Sequence, residues 1–261
     1  HELSKIGVCI VVVCEIKITN PSENIKVVEL GRGSSRPRWL SHLIFSTKVY
    51  NWLKQNKKHQ GIIHSHERIS CHNVTTIHST LFNFPSTGFP SIRKTINEFL
   101  EKREVSASQL SRIVPVSQLV ANQIKSKFPQ VSDLLNEPIP PGVANFSISK
   151  KVFDSKCPVI GFMGTEWKRK GLPKVIAIWR ELLQLNPDVN LCLAGFSVHE
   201  KIGLTKVELE RVNILGYVPK DTFYSKIDIL LHPAQKEAFG MVIAEALSMD
   251  IPVVCSEESG A

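Results

Sequence analysis

The stretch PVIGFMGTEWKRKGLPKVIAIWRELLQLNPDVNLCLAG, residues 158–195, decides the fold class of this chain. Pro158–Met163 is a short apolar run of the kind that fills a strand covered on both faces. Gly164–Gly171 interrupts it with glycines at both ends and three cations between them, Lys168, Arg169 and Lys170. Leu172–Leu185 carries its apolar residues at helical spacing, and Val189–Ala194 is a second strand ending at Gly195. A strand, a helix and a strand in that order imply a parallel βαβ unit.

Toward the C-terminus the alternation continues. Val212–Leu215 reads as a strand, Asp221–Ser225 as a helix, Ile227–His232 as a strand, Gly240–Met249 as a helix and Pro252–Cys255 as a strand. Toward the N-terminus, Val8–Glu15 and Lys26–Leu30 read as strands, Trp39–Lys57 as a helix, and Gly61–Glu67 and Val74–Ser79 as strands. Ile92–Val105 is a charged helix. Ile113–Val116 is a strand, with Ser117 as N-cap of a helix over Leu119–Phe128. Asn136–Lys150 holds three prolines and a glycine with little periodicity, and is expected to be a linker. Two Rossmann-like domains follow, 1–143 and 144–261. In such parallel sheets ligands sit at the carboxyl ends of the strands.

Composition is that of a folded chain: 261 residues, 43% hydrophobic and 21% charged. The longest apolar run near the start, Val8–Cys14, has seven residues, too few to cross a bilayer, and no basic segment or cleavage site flanks it. Neither a transmembrane helix nor a secretory signal is expected, and the location is expected to be cytoplasmic, with the inner face of the cell membrane as a peripheral site. Six cysteines lack CxxC spacing, and Cys9, Cys14, Cys192 and Cys255 lie in strand-like runs, so they read as buried thiols of a reducing compartment. The chain begins at His1 and stops at Ala261 inside a pattern, so it is expected to be a fragment lacking both ends.

Charge is uneven. Residues 1–150 hold 19 Lys and Arg against 10 Asp and Glu, whereas 151–261 hold 13 against 14. The basic half suits an anionic partner or is simply a solvated face. The helix Trp39–Lys57 mixes Lys48 and Lys54 with Trp39, Tyr50 and Trp52. It either touches an anionic membrane surface or packs on the sheet, and packing is the commoner fate. Nucleic acid is not an expected partner, because aromatics are only 7% and are not interleaved with the cations.

Two segments carry chemistry. In Glu237-Ala-Phe-Gly-Met-Val-Ile-Ala-Glu245, the run Met241–Met249 is nearly all apolar and Glu245 is its only charge. A lone carboxylate on a buried helix needs a partner, either a ligand's hydroxyls or a structural cation. Phe239 and Gly240 stand where the helix begins, and the first N–H groups, of Gly240, Met241 and Val242, would face a ligand. Glu237 precedes that turn. The second segment, Gly164–Gly171, places its cations at the sheet's carboxyl edge, where Arg grips a diphosphate with its fork and Lys as a point charge. It is neither GxxxxGK[ST] nor GxGxxG.

Together these segments resemble the donor-binding half of GT-B glycosyltransferases, glycosyltransferase family 4. That family shows a glycine turn ending in (R)KG, a "LxGxVP" strand, and an "aDixlhPs…EgFGxxxxEAlaxGxPVv" stretch. Here the matching text is Leu215-Gly-Tyr-Val-Pro219, Lys226–Pro233, and Glu237 to Val254. In the first half, Ile63-His-Ser-His-Glu-Arg68, Thr75-Thr-Ile-His78, Pro115-Val-Ser117 and Ile139-Pro-Pro-Gly-Val143 look like the acceptor domain and linker. "HSHER" and "EAFGMVIAEA" look most like enzymes of the lipopolysaccharide core. Departures are the linker, PPGVA rather than PNGVD, and Gly164-Thr165 where many relatives have Gly-Arg.

The resemblance implies two Rossmann-like domains facing across a cleft, the C-terminal one incomplete. It implies transfer of a hexose or heptose, with retention, from a nucleotide diphosphate sugar such as UDP-glucose to a glycan or glycolipid of the cell envelope. Arg169 and Lys170 would neutralise the diphosphate. Glu245 would accept from the ribose hydroxyls, and Glu237 with the backbone from Phe239 through Gly240 to Met241 and Val242 would hold the sugar and distal phosphate. Tyr217 and Val218 would read the base, Gly164 would lie at the phosphates, and His78 would sit near the sugar on the acceptor side. No metal and no cofactor is implied, and the sequence has no DxD. A nucleotide-sugar epimerase of similar architecture and a non-catalytic nucleotide-sugar-binding relative are the alternatives. His64, His66, His72 and His78 with Glu67 also allow a hydrolase metal site, against hydrogen-bonded positions lining a cleft.

Overall fold

A computed structural model describes residues 2–16, 24–34, 37–56, 61–81, 92–143 and 156–261. The chain divides into His1–Pro115 with Ala121–Glu137, and Val116–Val120 with Pro138–Ala261. Of the expected linker, residues 136–143 run without helix or strand, and 144–150 lie outside the described residues.

The first unit contains α1 (Glu2–Lys5), β1 (Ile10–Cys14), β2 (Ile25–Glu29), α2 (Arg38–Gln55), β3 (His64–Ser65), β4 (Val74–Ile77), α3 (Ile92–Val105), β5 (Arg112–Pro115) and most of α4 (Gln118–Lys127), followed by a 3-10 turn, Pro129–Leu134. Two parallel sheets form, β1-β2 and β3-β4-β5. The strand expected over Gly61–Glu67 shrinks to two residues, because its end is occupied by side-chain bonding: Asn73 Oδ1 accepts from the Ile63 N–H, and Ser65 Oγ donates to the Glu67 carbonyl. Helix α2 packs by Phe45 and Val49 against Val13, Leu30 and Ile69, and Lys48 Nζ donates to the carbonyls of Leu30 and Gly31. Lys48 thus serves the sheet. Among the described residues no helix is long and apolar enough to cross a membrane.

Behind β4, the charged face of α3 is partly internal. Glu101, 2% exposed, pairs with Lys127 at 2.7 Å and Arg68 at 3.4 Å. Glu104 accepts from Thr75 Oγ1 at 2.9 Å, and burial, opposed by that bond and by Arg68, pushes its carboxyl up to about 7. The sign follows from linkage. Between the ordinary value of 4.5 and about 7, the unfolded chain has released this proton while the folded chain keeps it, so stability falls with rising pH across that window and levels off above it. Glu104→Gln should remove this slope and raise stability at pH 8 by ~3 kcal/mol. Urea unfolding of both proteins at pH 5 and pH 8 measures it.

The second unit holds β6 (Val159–Met163), α5 (Leu172–Leu185), β7 (Asn190–Ala194), α6 (Lys206–Leu209), β8 (Val212–Gly216), α7 (Lys220–Tyr224), β9 (Ile229–His232), α8 (Met241–Ser248) and β10 (Val253–Cys255). All five strands pair in parallel in the order β10-β9-β6-β7-β8. Alternate residues serve opposite faces. Ile160, Phe162, Leu191 and Leu193 pack on Leu172, Val175, Ile176 and Trp179 of α5, while Met163, Cys192 and Ala194 pack with Phe223, Tyr224, Val242, Ile243 and Ala246 of α7 and α8. Double coverage is why these strands are apolar throughout. Trp179, fully buried, satisfies its indole N–H on the Val189 carbonyl at 3.1 Å. Helix α6 has a capping box, Thr205 with Glu208, a sequence signal for a turn that hydrophobic periodicity alone does not show.

The expectation of buried thiols is corrected. All six cysteines are free, but Cys192 alone is buried, and Cys9, Cys157 and Cys255 are exposed. Cys9 precedes β1, and Cys255 ends β10, an edge strand with one side uncovered.

Candidate functional site

The turns after β6, β7, β8 and β9 all emerge at the carboxyl edge of the second unit's sheet. Gly164 donates its N–H to the Ala194 carbonyl at 3.0 Å and Gly195 to Gly216 at 2.8 Å, so three turns are laced together. Gly171 has φ +92°, and a Cβ there would lie 2.3 Å from the Pro233 carbonyl oxygen. The missing side chain lets the cationic turn lie against the β9–α8 loop. The Gln235 N–H donates to the Arg169 carbonyl at 3.1 Å across the same seam.

That approach puts Arg169, Lys170 and Glu237 in one cluster. Lys170 Nζ is 3.3 Å and Arg169 Nη1 3.6 Å from Glu237 Oε2, and His232 Nε2 is 3.8 Å from the same oxygen. Burial raises the Glu237 carboxyl, but His232, Lys170 and Arg169 outweigh it and hold the group down at about 2. Its backbone is fixed on both sides: its N–H donates to the Glu258 carbonyl, and its carbonyl accepts from Gly260. The third cation of the turn points elsewhere, with Lys168 Nζ 5.1 Å over the Trp167 ring. Arg169 is shared, since Nε and Nη2 donate to Glu166 Oε2 at 3.0 and 2.7 Å, and Nη1 donates to the Lys236 carbonyl. Gly164 acts through Lys170: a Cβ there would be 2.5 Å from Lys170 Cδ, so the glycine makes room for the lysine stem.

Gly240, at φ +95°, is the N-cap of α8, and a Cβ there would crowd Ile243 Cδ1 at 2.9 Å and Glu237 Cγ at 3.4 Å. The helix proper starts at Met241, with Val242 buried and Phe239 half-buried just ahead of it. Its opening N–H groups have no intrahelical partners. Glu245, 1% exposed, has protein partners at both oxygens: Lys220 Nζ lies 2.5 Å from Oε1, and the Tyr224 hydroxyl donates to Oε2 at 3.0 Å. Burial and that carboxylate push the Tyr224 phenol up. The sequence required a partner for Glu245 but not which one. In the structure it is a cation and a phenol. Tyr217 follows β8 and is 73% exposed, while Val218 packs against the α7–α8 side of the core.

His78 belongs to the first unit, where its Nε2 meets His66 Nδ1 at 2.8 Å, and the rings of His64 and His66 lie 4.5 Å apart. His64 bonds Thr76 Oγ1 at 2.7 Å, and His72 is a buried core residue on the Glu104 carbonyl at 3.1 Å. Among the described residues no group of three or more His, Cys, Asp or Glu is arranged to hold a metal ion. A concavity of about 560 Å³ in the second unit lies at the other sheet edge, lined among others by Val159, Asn190, Val212 and Lys226 where strands begin. The cationic turn does not line it.

Sequence reasoning gave no role to His232 or Lys220. The signal for His232 was available: it is the polar terminal residue of an apolar strand, at the edge where ligands bind. Lys220 had none, since only the fold brings α7 beside α8.

Residues 144–261 match the family model of glycosyl transferases group 1. Over 109 residues the chain is 27% identical to the capsular polysaccharide biosynthesis glycosyltransferase CapM of Staphylococcus aureus, covering 40% of this chain and 29% of that protein. Over 94 residues it is 31% identical to the O-antigen biosynthesis glycosyltransferase WclY of Escherichia coli, covering 34% of this chain and 26% of that protein. The matched segments thus span less than a third of these relatives. Among solved structures, WaaG, a glycosyltransferase involved in lipopolysaccharide biosynthesis, superposes with a TM-score of 0.77 at 14% identity, over 99% of this chain and 75% of that one. At that identity the likeness establishes the fold: this chain has the α/β fold of the GT-B glycosyltransferases.

Proposed function

We propose that this chain is part of a retaining glycosyltransferase of family 4 that moves a hexose or heptose from a nucleotide diphosphate sugar to a glycan or glycolipid. The observation that carries the reading is the convergence of Arg169 and Lys170 on Glu237 at the carboxyl edge of a parallel sheet. A diphosphate leaving group gains charge as the glycosidic bond breaks. Cations fixed beside it therefore stabilise the transition state more than the ground state, and a metal is not called for. Glu237 and the backbone at Phe239–Met241 then hold the sugar and distal phosphate, and Tyr217 and Val218 flank the base. Ribose hydroxyls take the place on Glu245 that the Lys220 ammonium holds, and Lys220, half-exposed, returns to water. His78 serves the acceptor side. The matched relatives work in capsule and O-antigen biosynthesis, which supports a role in assembling cell-envelope polysaccharide.

The test is a panel of nucleotide sugars, UDP-glucose included, offered to the full-length protein with mass-spectrometric readout and calorimetry. Binding of at least one donor, with release of its nucleoside diphosphate, is the expected result. A protein that binds none of them is not a glycosyltransferase of this kind.

A further inference from the structure

We propose that His232 is a positioning residue that takes over the Glu237 carboxylate when a diphosphate draws Arg169 and Lys170 away, an inference that rests on the donor-binding reading above. His232 closes β9 and is fully buried, at 0% exposure. Neither of its ring nitrogens has a hydrogen-bond partner among the described residues, and Glu237 Oε2 has none either. Buried polar atoms seldom go without a hydrogen bond, so an imidazole that makes none, beside a carboxylate oxygen that has ion-pair neighbours but no hydrogen bond, points to a second arrangement in which the two meet.

The geometry says which arrangement. Three groups surround Glu237 Oε2: Lys170 at 3.3 Å, Arg169 at 3.6 Å and His232 at 3.8 Å. The first two stand on long side chains, 17% and 39% exposed, that can turn toward an incoming anion. His232 is held in place, stacked on Phe162 with ring centroids 6.4 Å apart and paired in register with Cys255 of β10. A diphosphate carries more charge than one carboxylate and competes for both cations. Once they turn to it, Glu237, 16% exposed, is a buried anion whose remaining neighbour of the three is the imidazole. The distance is just beyond a hydrogen bond and too short for an intervening water. A small rotation of the Glu237 side chain closes it, and the pinned backbone keeps the carboxylate in place meanwhile. His232 thereby keeps Glu237 ionised and oriented in the loaded state, without touching the ligand.

The experiment uses full-length protein labelled with ¹⁵N-histidine and titrated with inorganic pyrophosphate, with nucleoside diphosphates in parallel. In wild type, saturation should shift the His232 ring nitrogens, assigned through His232→Gln, to the pattern of a hydrogen-bonded donor. Glu237→Ala should abolish that shift. His232→Phe should weaken pyrophosphate binding about tenfold, and His232→Gln, which still donates, by less than about threefold. Should the Phe variant fail to fold, the wild-type and Glu237→Ala spectra decide. Pyrophosphate binding with unmoved His232 signals overturns the proposal, as does equal affinity of the folded Phe variant and wild type. If wild type binds neither pyrophosphate nor any nucleoside diphosphate, the donor-binding reading fails, and this assignment fails with it.

Discussion

Lys170→Met should weaken nucleoside diphosphate binding by roughly 30-fold or more, since losing one partner of a desolvated charge pair costs ~2–5 kcal/mol. Methionine keeps the stem that crosses Gly164, so the turn retains its packing and only the charge is lost. Lys170 is the less exposed of the two cations on Glu237 and is 3.3 Å from it. Arg169 alone replaces it poorly, because it is the more exposed of the two, at 39% against 17%, and gives up its bonds to Glu166 and the Lys236 carbonyl on turning to the anion. The charge on a departing diphosphate grows in the transition state, so kcat should fall along with affinity. Calorimetry and steady-state kinetics on the same preparation measure both. Wild-type affinity in a folded Lys170→Met protein would detach this turn from the diphosphate.

Glu245→Ala should cost a similar amount for nucleoside diphosphates, ~2–5 kcal/mol, yet leave inorganic pyrophosphate binding unchanged, because Glu245 is assigned to the ribose. The structure makes this a sharp comparison. Glu245 is a buried carboxylate with Lys220 and Tyr224 on its two oxygens, an arrangement that a purely structural ion pair would also show. The two roles separate on deletion. Lys220 is 48% exposed and returns to solvent, and the Tyr224 hydroxyl, released from Glu245, turns its one proton to the Val242 carbonyl 3.1 Å away, so destabilisation stays within ~1–3 kcal/mol. A structural Glu245 would lower Tm and leave nucleotide affinity untouched. A ribose-binding Glu245 lowers nucleotide affinity selectively. Parallel titrations with UDP, ADP and pyrophosphate, beside a thermal melt, tell them apart.

Much of the second unit was legible because its strands are covered on both faces and its helices on one. Leu172–Leu185 has the same bounds in sequence and structure, and every strand expected between Pro158 and Cys255 forms. Burial of single side chains was harder to read. Cys255 looked internal because the run Pro252–Cys255 is apolar, but an edge position leaves it exposed. The sequence shows α3 only as a charged helix and not which charges turn inward; Glu101 and Glu104 are inside, because Arg68, Lys127 and Thr75 reach them from other elements.

The sequence alone determined an alternating β/α chain, a glycine-bounded cationic turn after β6, and two carboxylates one helix apart, since these depend on local spacing and on the periodicity of apolar residues. Only the tertiary structure decided which charges meet. Arg169 and Lys170 reach Glu237 because Gly171 lets two loops touch, Lys220 finds Glu245 because α7 lies beside α8, and His232 joins them because β9 ends under the same turn. Electrostatic pairing falls off over a few ångströms, so partners far apart in the chain are fixed by packing, and no local pattern encodes them.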